Sequence, residues 1–212
     1  MRIVTIVLAV LVLGMAGSSF YYWNADQKAG KEISQLNQNM DKLSTKVEDF
    51  ETRKAEQVEQ IRLTHDSLVQ SLRKEIEQGQ IKIKQVESKL SVTLIDKILF
   101  ASGKAEITPE GQDILTRVGK MLKNTSGKII RVEGHTDNVR IHPRLKKKYA
   151  SNWELSSARA TVVVKHLQDK AKIPGKRLQA IGMSQYDPVE SNATRKGRSM
   201  NRRVEITVLP DL

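Results

Sequence analysis

Cysteine is absent from all 212 residues. That excludes thiol nucleophiles, thiolate metal sites and disulfides, and it removes lipid attachment through an N-terminal cysteine. Aromatic side chains are scarce, with two Trp, four Tyr and three Phe, so a platform for stacking nucleic-acid bases is not evident. The four histidines include no pair at metal-ligand spacing, and no two acids stand in a recognisable acid/base arrangement. Neither an enzyme nor a metal or other cofactor is expected. Residues 3–23 lack charge, residues 30–90 lack proline, and nothing in the chain repeats.

Positive charge, by contrast, is abundant. Lys and Arg outnumber Asp and Glu by 36 to 24, a net charge of +12, and the excess is unevenly placed. Residues 1–90 hold 13 basic against 12 acidic side chains, and residues 91–212 hold 23 against 12. The C-terminal part therefore faces an anionic partner. Nucleic acid and an anionic cell-wall polymer both qualify on charge alone.

The uncharged run 3–23 is about long enough to span a bilayer. Arg2 and the terminal amine favour an inside N-terminus, and Phe20, Tyr21, Tyr22 and Trp23 read as an interfacial belt. A cleaved signal peptide is the competing reading, with Ala16, Gly17, Ser18 and Ser19 as its cleavage region. The belt continues the run past that region, which favours a retained anchor over residues 1–24; both readings export the rest. In residues 30–90, Ile33, Leu36, Met40, Leu43, Val47 and Phe50 form a heptad seam. The ladder continues through Lys54 to Val58, Ile61, His65, Leu68, Leu72, Ile76, Gly79, Ile83, Val86 and Leu90, with repeated steps of four that predict local unwinding. This predicts a coiled-coil stalk about 90 Å long, with His65 setting register and Gly79 a weak point.

From Ser91 the period changes. Val92, Leu94, Ile98 and Phe100 predict a strand. Thr108, Pro109 and Glu110 supply a cap, an N1 proline and an early acid for a helix with Ile114, Val118, Met121 and Leu122 on its apolar face. A strand over 128–135 puts Ile130, Val132 and Gly134 on one face and Arg131, Glu133 and His135 on the other. A second helix runs from about Leu155 to Leu167, a third strand covers 177–182, residues 183–199 read as loop, and Val204, Ile206 and Val208 mark a last strand. The order βαβαββ predicts a two-layer α/β sandwich with a mixed sheet.

In the second helix Arg159 shares the apolar arc of Leu155, Ala158, Val162 and Val163, so its guanidinium must find an anion or strong acceptors. Asp137, at the tip of the preceding strand, is one candidate partner. Alternatively the two hold the ends of a zwitterionic ligand, the carboxylate taking an ammonium and the guanidinium a carboxylate. His135 reads as a strand-end hydrogen bonder, and Arg202 and Arg203 as braces of the last strand against the acidic turn. The basic segment 140–151 is either a solvated loop or an added attraction for anionic polymer.

Four ordered motifs carry a resemblance: Ile98 to Ala105; Gly134-His135-Thr136-Asp137-Asn138; Asn152-Trp153-Glu154-Leu155-Ser156 with Arg159-Ala160; and Asn201-Arg202-Arg203-Val204-Glu205-Ile206. Together they resemble the OmpA/MotB-type peptidoglycan-binding domain, over about residues 91–212. The resemblance implies recognition of the diaminopimelate-bearing stem peptide, with Asp137 on the amino group and Arg159 on a carboxylate. Asn152, Leu155, Ser156 and Thr136 would line the pocket. The basic loop and the motif that closes it look like the flagellar stator branch. That branch needs a carboxylate within its membrane helix, and residues 3–23 contain none; Asp26 lies beyond Trp23. The expected protein is thus an inner-membrane tether, dimeric through its stalk, whose exported domain binds peptidoglycan in the periplasm and not nucleic acid. A stator-like subunit is the alternative.

Overall fold

The computed structural model describes residues 2–125 and 127–210, with only the backbone for 2–13, Ala25, Ala29 and Pro210. Helix α1 (Arg2–Ser71) is the longest element. The chain divides into two compact units, Met1–Lys54 and Ala55–Leu212. The side chains of 3–13, half of the expected membrane span, lie outside the described residues. Among those described, no helix is long and apolar enough to cross a membrane. In the first unit the heptad side chains Ile33, Leu36, Met40, Leu43, Val47 and Phe50 are 48% to 69% exposed, so the seam has no partner among the described residues.

The second unit begins inside α1. Ile61 and Leu68, on its last turns, and Leu72 just beyond are fully buried in the core of this unit. Each such side chain contributes about 1.5–3 kcal/mol of burial. The expected helix to residue 90 is corrected here. After Ser71 come a short helix α2 (Arg73–Glu77), a turn through Gly79 at φ +69°, and strand β1 (Ile81–Val86). Strand β1 pairs antiparallel with β2 (Lys89–Ile95), joined by a tight turn at Glu87 with φ +50°. Ile81 and Ile83 alternate with Lys82 and Lys84, a period of two. Two turns at positive φ then settle the matter for a hairpin.

Past β2 the chain makes one helical turn, α3 (Asp96–Leu99), where a continued strand was expected, so only Phe100 bridges back to Ile107. Helix α4 (Pro109–Lys123) starts as predicted, with Thr108 Oγ1 accepting from Gly111 N at 3.0 Å. Strand β3 (Lys128–His135), helix α5 (Asn152–Asp169) and strand β4 (Leu178–Ser184) form a crossover joining parallel strands. The segment expected as loop contains a short helix, α6 (Arg195–Asn201), capped by Thr194, before β5 (Arg203–Pro210). The sheet order is β1-β2-β5-β3-β4. It is mixed, as predicted, with five strands instead of four.

One face of the sheet carries Leu90, Val92, Leu94, Ile130, Val132, Val204, Ile206 and Val208, all buried with the apolar faces of α4 and α5. The alternate positions, including Arg131, Glu133, Glu205 and Thr207, face the other way. Two glycines fix how closely α5 approaches. A Cβ on Gly134 would overlap the Ser156 carbonyl oxygen, and one on Gly182 the Ser157 hydroxyl. Their absence lets the first turns of α5 lie directly on the ends of β3 and β4.

Candidate functional site

Ser151 and Glu154 form a capping box that starts α5 at Asn152. From this start, Asn152, Leu155 and Arg159 point over the C-terminal end of β3. There the chain turns through Thr136 and Asp137, and Asp137 Oδ1 accepts from Val139 N at 3.1 Å. The amide of Asn152 ties the turn down. Its Nδ2 donates to Asp137 O, Val139 O and Gln185 Oε1, at 3.3, 3.1 and 3.2 Å. A cavity of about 510 Å³ opens at this place, lined by Thr136, Asp137, Asn152, Leu155 and Arg159. Five of the six expected site residues therefore share one cavity. Ser156 does not line it. Fully buried, it donates to Trp153 O and accepts from Ser184 N, fastening α5 to β4 beneath the site.

Asp137 and Arg159 are not each other's partner. Asp137 Oδ2 accepts from Arg202 Nη1 at 2.6 Å. Arg159 pairs through Nη1 with Asp96 Oδ1 at 2.8 Å, donates from Nε to Lys104 O at 3.0 Å, and lies over the Phe100 ring at 5.0 Å. This overturns the internal Asp137–Arg159 pair as the explanation of these two residues. Desolvation shapes the Asp96–Arg159 pair. Burial pushes the Asp96 carboxyl up to about 6 even though Arg159 and Arg202 pull it down. Burial likewise lowers the Arg159 guanidinium, with Asp96 acting in the opposite sense. The two charges are held close but offset only part of their loss of water.

The sequence reading missed Asp96 as a member of the site and favoured a bracing role for Arg202 over ligand contact. Asp96 did leave a signal: it is a lone acid between Leu94-Ile95 and Ile98-Leu99-Phe100. The rim adds Lys97, Arg140, Arg195 and Arg198, none of which has a carboxylate partner among the described residues. The cavity thus pairs two carboxylates internally and keeps a net positive mouth. The Thr136 hydroxyl, buried at its edge, has no hydrogen-bond partner among the described residues. Behind the turn, burial and Arg203 depress His135 to about 4, so the ring is neutral. It makes no hydrogen bond there, contrary to the expected strand-end role. Arg203 does brace the last strand, through Asp187 and Glu205.

Residues 99–202 match the OmpA family. A solved structure, the cell wall anchor of the T6SS from Pseudomonas aeruginosa, is 36% identical, with a TM-score of 0.61 over 68% of this chain and 96% of that one. The chain belongs to the OmpA family. Among curated relatives, Motility protein B of Bacillus subtilis is 37% identical over 131 residues, covering 62% of this chain and 49% of the relative. Peptidoglycan-binding protein ArfA of Mycobacterium tuberculosis is 31% identical over 123 residues, 58% of this chain and 35% of the relative. The chain thus spans about half or less of each of these two curated relatives. The OmpA-family residues 99–202 include all six expected site residues and Arg202, whereas Asp96 lies just outside.

Proposed function

We propose that the second unit binds peptidoglycan non-covalently through the diaminopimelate residue of the stem peptide, and that the chain tethers the cytoplasmic membrane to the wall. The observation that carries this reading is the convergence of a carboxylate, Asp137, and a guanidinium, Arg159, on one open cavity with a basic mouth. A zwitterionic side chain meets both. Its ammonium replaces Arg202 on Asp137, and its carboxylate replaces Asp96 on Arg159 with the planar geometry guanidinium favours. Thr136 supplies a free hydroxyl, and Leu155 packs against the methylene chain. Two of the similar proteins, a peptidoglycan-binding protein and a cell wall anchor, support this reading.

The uncharged run 3–23 serves as the anchor, and the exposed heptad seam pairs two chains, so that two weak sites act on one polymer. Calorimetric titration with synthetic stem peptides tests the site. A diaminopimelate peptide is expected to bind about tenfold or more tightly than its lysine counterpart, which lacks the second carboxylate. Arg159→Ala should remove that preference, and equal affinities in the wild-type chain would refute the reading. The Bacillus relative's name keeps a stator-like role as the second reading. It requires a partner to supply the missing membrane carboxylate, and loss of motility on Asp26→Asn would favour it.

A further inference from the structure

On the sheet face opposite the helices, His135 is 2% exposed, and neither ring nitrogen has a hydrogen-bond partner. Native structures seldom leave a buried polar ring unsatisfied, and such groups often mark an ion or ordered water. The antiparallel register of β3 and β5 sets Glu133 directly opposite Glu205, two like charges that repel across the strands. One ligand atom from each of Glu133, His135 and Glu205 lies within 4.8 Å of the others. Arg203 relieves only part of this. Its Nε donates to Glu205 Oε1 at 2.7 Å and its Nη2 to Asp187 Oδ2 at 3.0 Å, while no described residue donates to Glu133. Arg131 comes no nearer than 3.9 Å to Glu133. The two glutamates also line an open depression of about 250 Å³, shared with Lys84 and Lys89, which gives solvent a route to both carboxylates, with His135 buried beside them.

We propose that Glu133, His135 and Glu205 form a site for a divalent transition-metal ion of the zinc class, one imidazole nitrogen and two carboxylate oxygens completed by water. That donor set suits zinc-like ions better than the all-oxygen shells of magnesium or calcium. The sequence shows no metal spacing because the ligands come from two strands, about seventy residues apart in the chain. The ion ties β3 to β5 immediately behind Thr136, Asp137 and Arg202, so it stiffens the cavity floor without touching ligand.

The full chain, stripped with chelator, is titrated with Zn(II) by calorimetry, and Co(II) absorption serves as the coordination signature. One ion per chain is expected, with a rise in melting temperature that chelator reverses. Glu133→Gln, which disturbs no hydrogen bond in the fold, should weaken Zn(II) by at least about tenfold, and Glu205→Gln likewise. His65→Gln, in α1, should leave binding intact. Absence of Zn(II) binding, or binding undiminished in Glu133→Gln, would overturn the site.

Discussion

Asp137 and Arg159 reach the cavity already paired, with Arg202 and Asp96 respectively, so a ligand exchanges contacts and does not fill vacant ones. Asp96 sets the terms of that exchange. Because its carboxyl ionises less readily in the folded chain than in the unfolded one, its contribution to stability is full below about pH 4 and falls as pH rises through about 6. Asp96→Asn mimics the protonated acid. It is expected to melt no lower than wild type at pH 7, and to flatten the loss of stability between pH 4 and 6. A variant melting well below wild type at pH 7 would show that the ion pair outweighs burial. The same proton frees Arg159, so stem-peptide affinity should rise as pH falls from 7 toward 5.5. An affinity flat across that range would contradict the exchange. Little of this was legible in the sequence. Asp137 and Arg159 could be named from motif and arc, but Asp96 meets Arg159 from 63 positions away, and only the hairpin and α3 bring it there.

Among the elements, helices α4 and α5 and strands β3 and β5 were legible because each carries one dominant period and is bounded by a cap or turn residue, while β4 was placed without a clear alternation. Strand β1 was not legible. Ile83, Val86 and Leu90 satisfy a helical ladder, the alternation of Ile81 and Ile83 with Lys82 and Lys84 is short, and Gly79 looks like a flaw in a helix until its positive φ makes it a turn. The end of α1 was also misassigned, since Ile61, Leu68 and Leu72 fit a heptad seam and a core equally well. The structure assigns them to the core. Leu68→Ala is therefore expected to cost about 2–5 kcal/mol in the second unit, read as a lower denaturation midpoint. A fragment starting at Ser91 should be less stable still, because it loses β1 and these side chains. Were Leu68→Ala silent in a monomeric sample, the last turns of α1 would belong to the stalk alone.

At the scale of the whole molecule, the seam from Ile33 to Phe50 leaves six large apolar side chains open to water, which two chains together would cover. Sedimentation equilibrium should find a dimer, and Leu43→Glu with Met40→Glu should return a monomer that holds sacculi more weakly though its cavity is unchanged. A monomeric wild type would remove the two-site argument. The basic mouth adds attraction that salt screens, whereas contacts inside the cavity are screened far less. Co-sedimentation of the full chain with diaminopimelate-type sacculi at raised salt separates these contributions and tests the central claim most directly. Asp137→Ala and Arg159→Ala, first shown by thermal melt to be folded, should stay in the supernatant while the wild type pellets. If all three pellet at low salt and all three are released together as salt rises, surface charge alone holds the wall and the cavity is not the binding site.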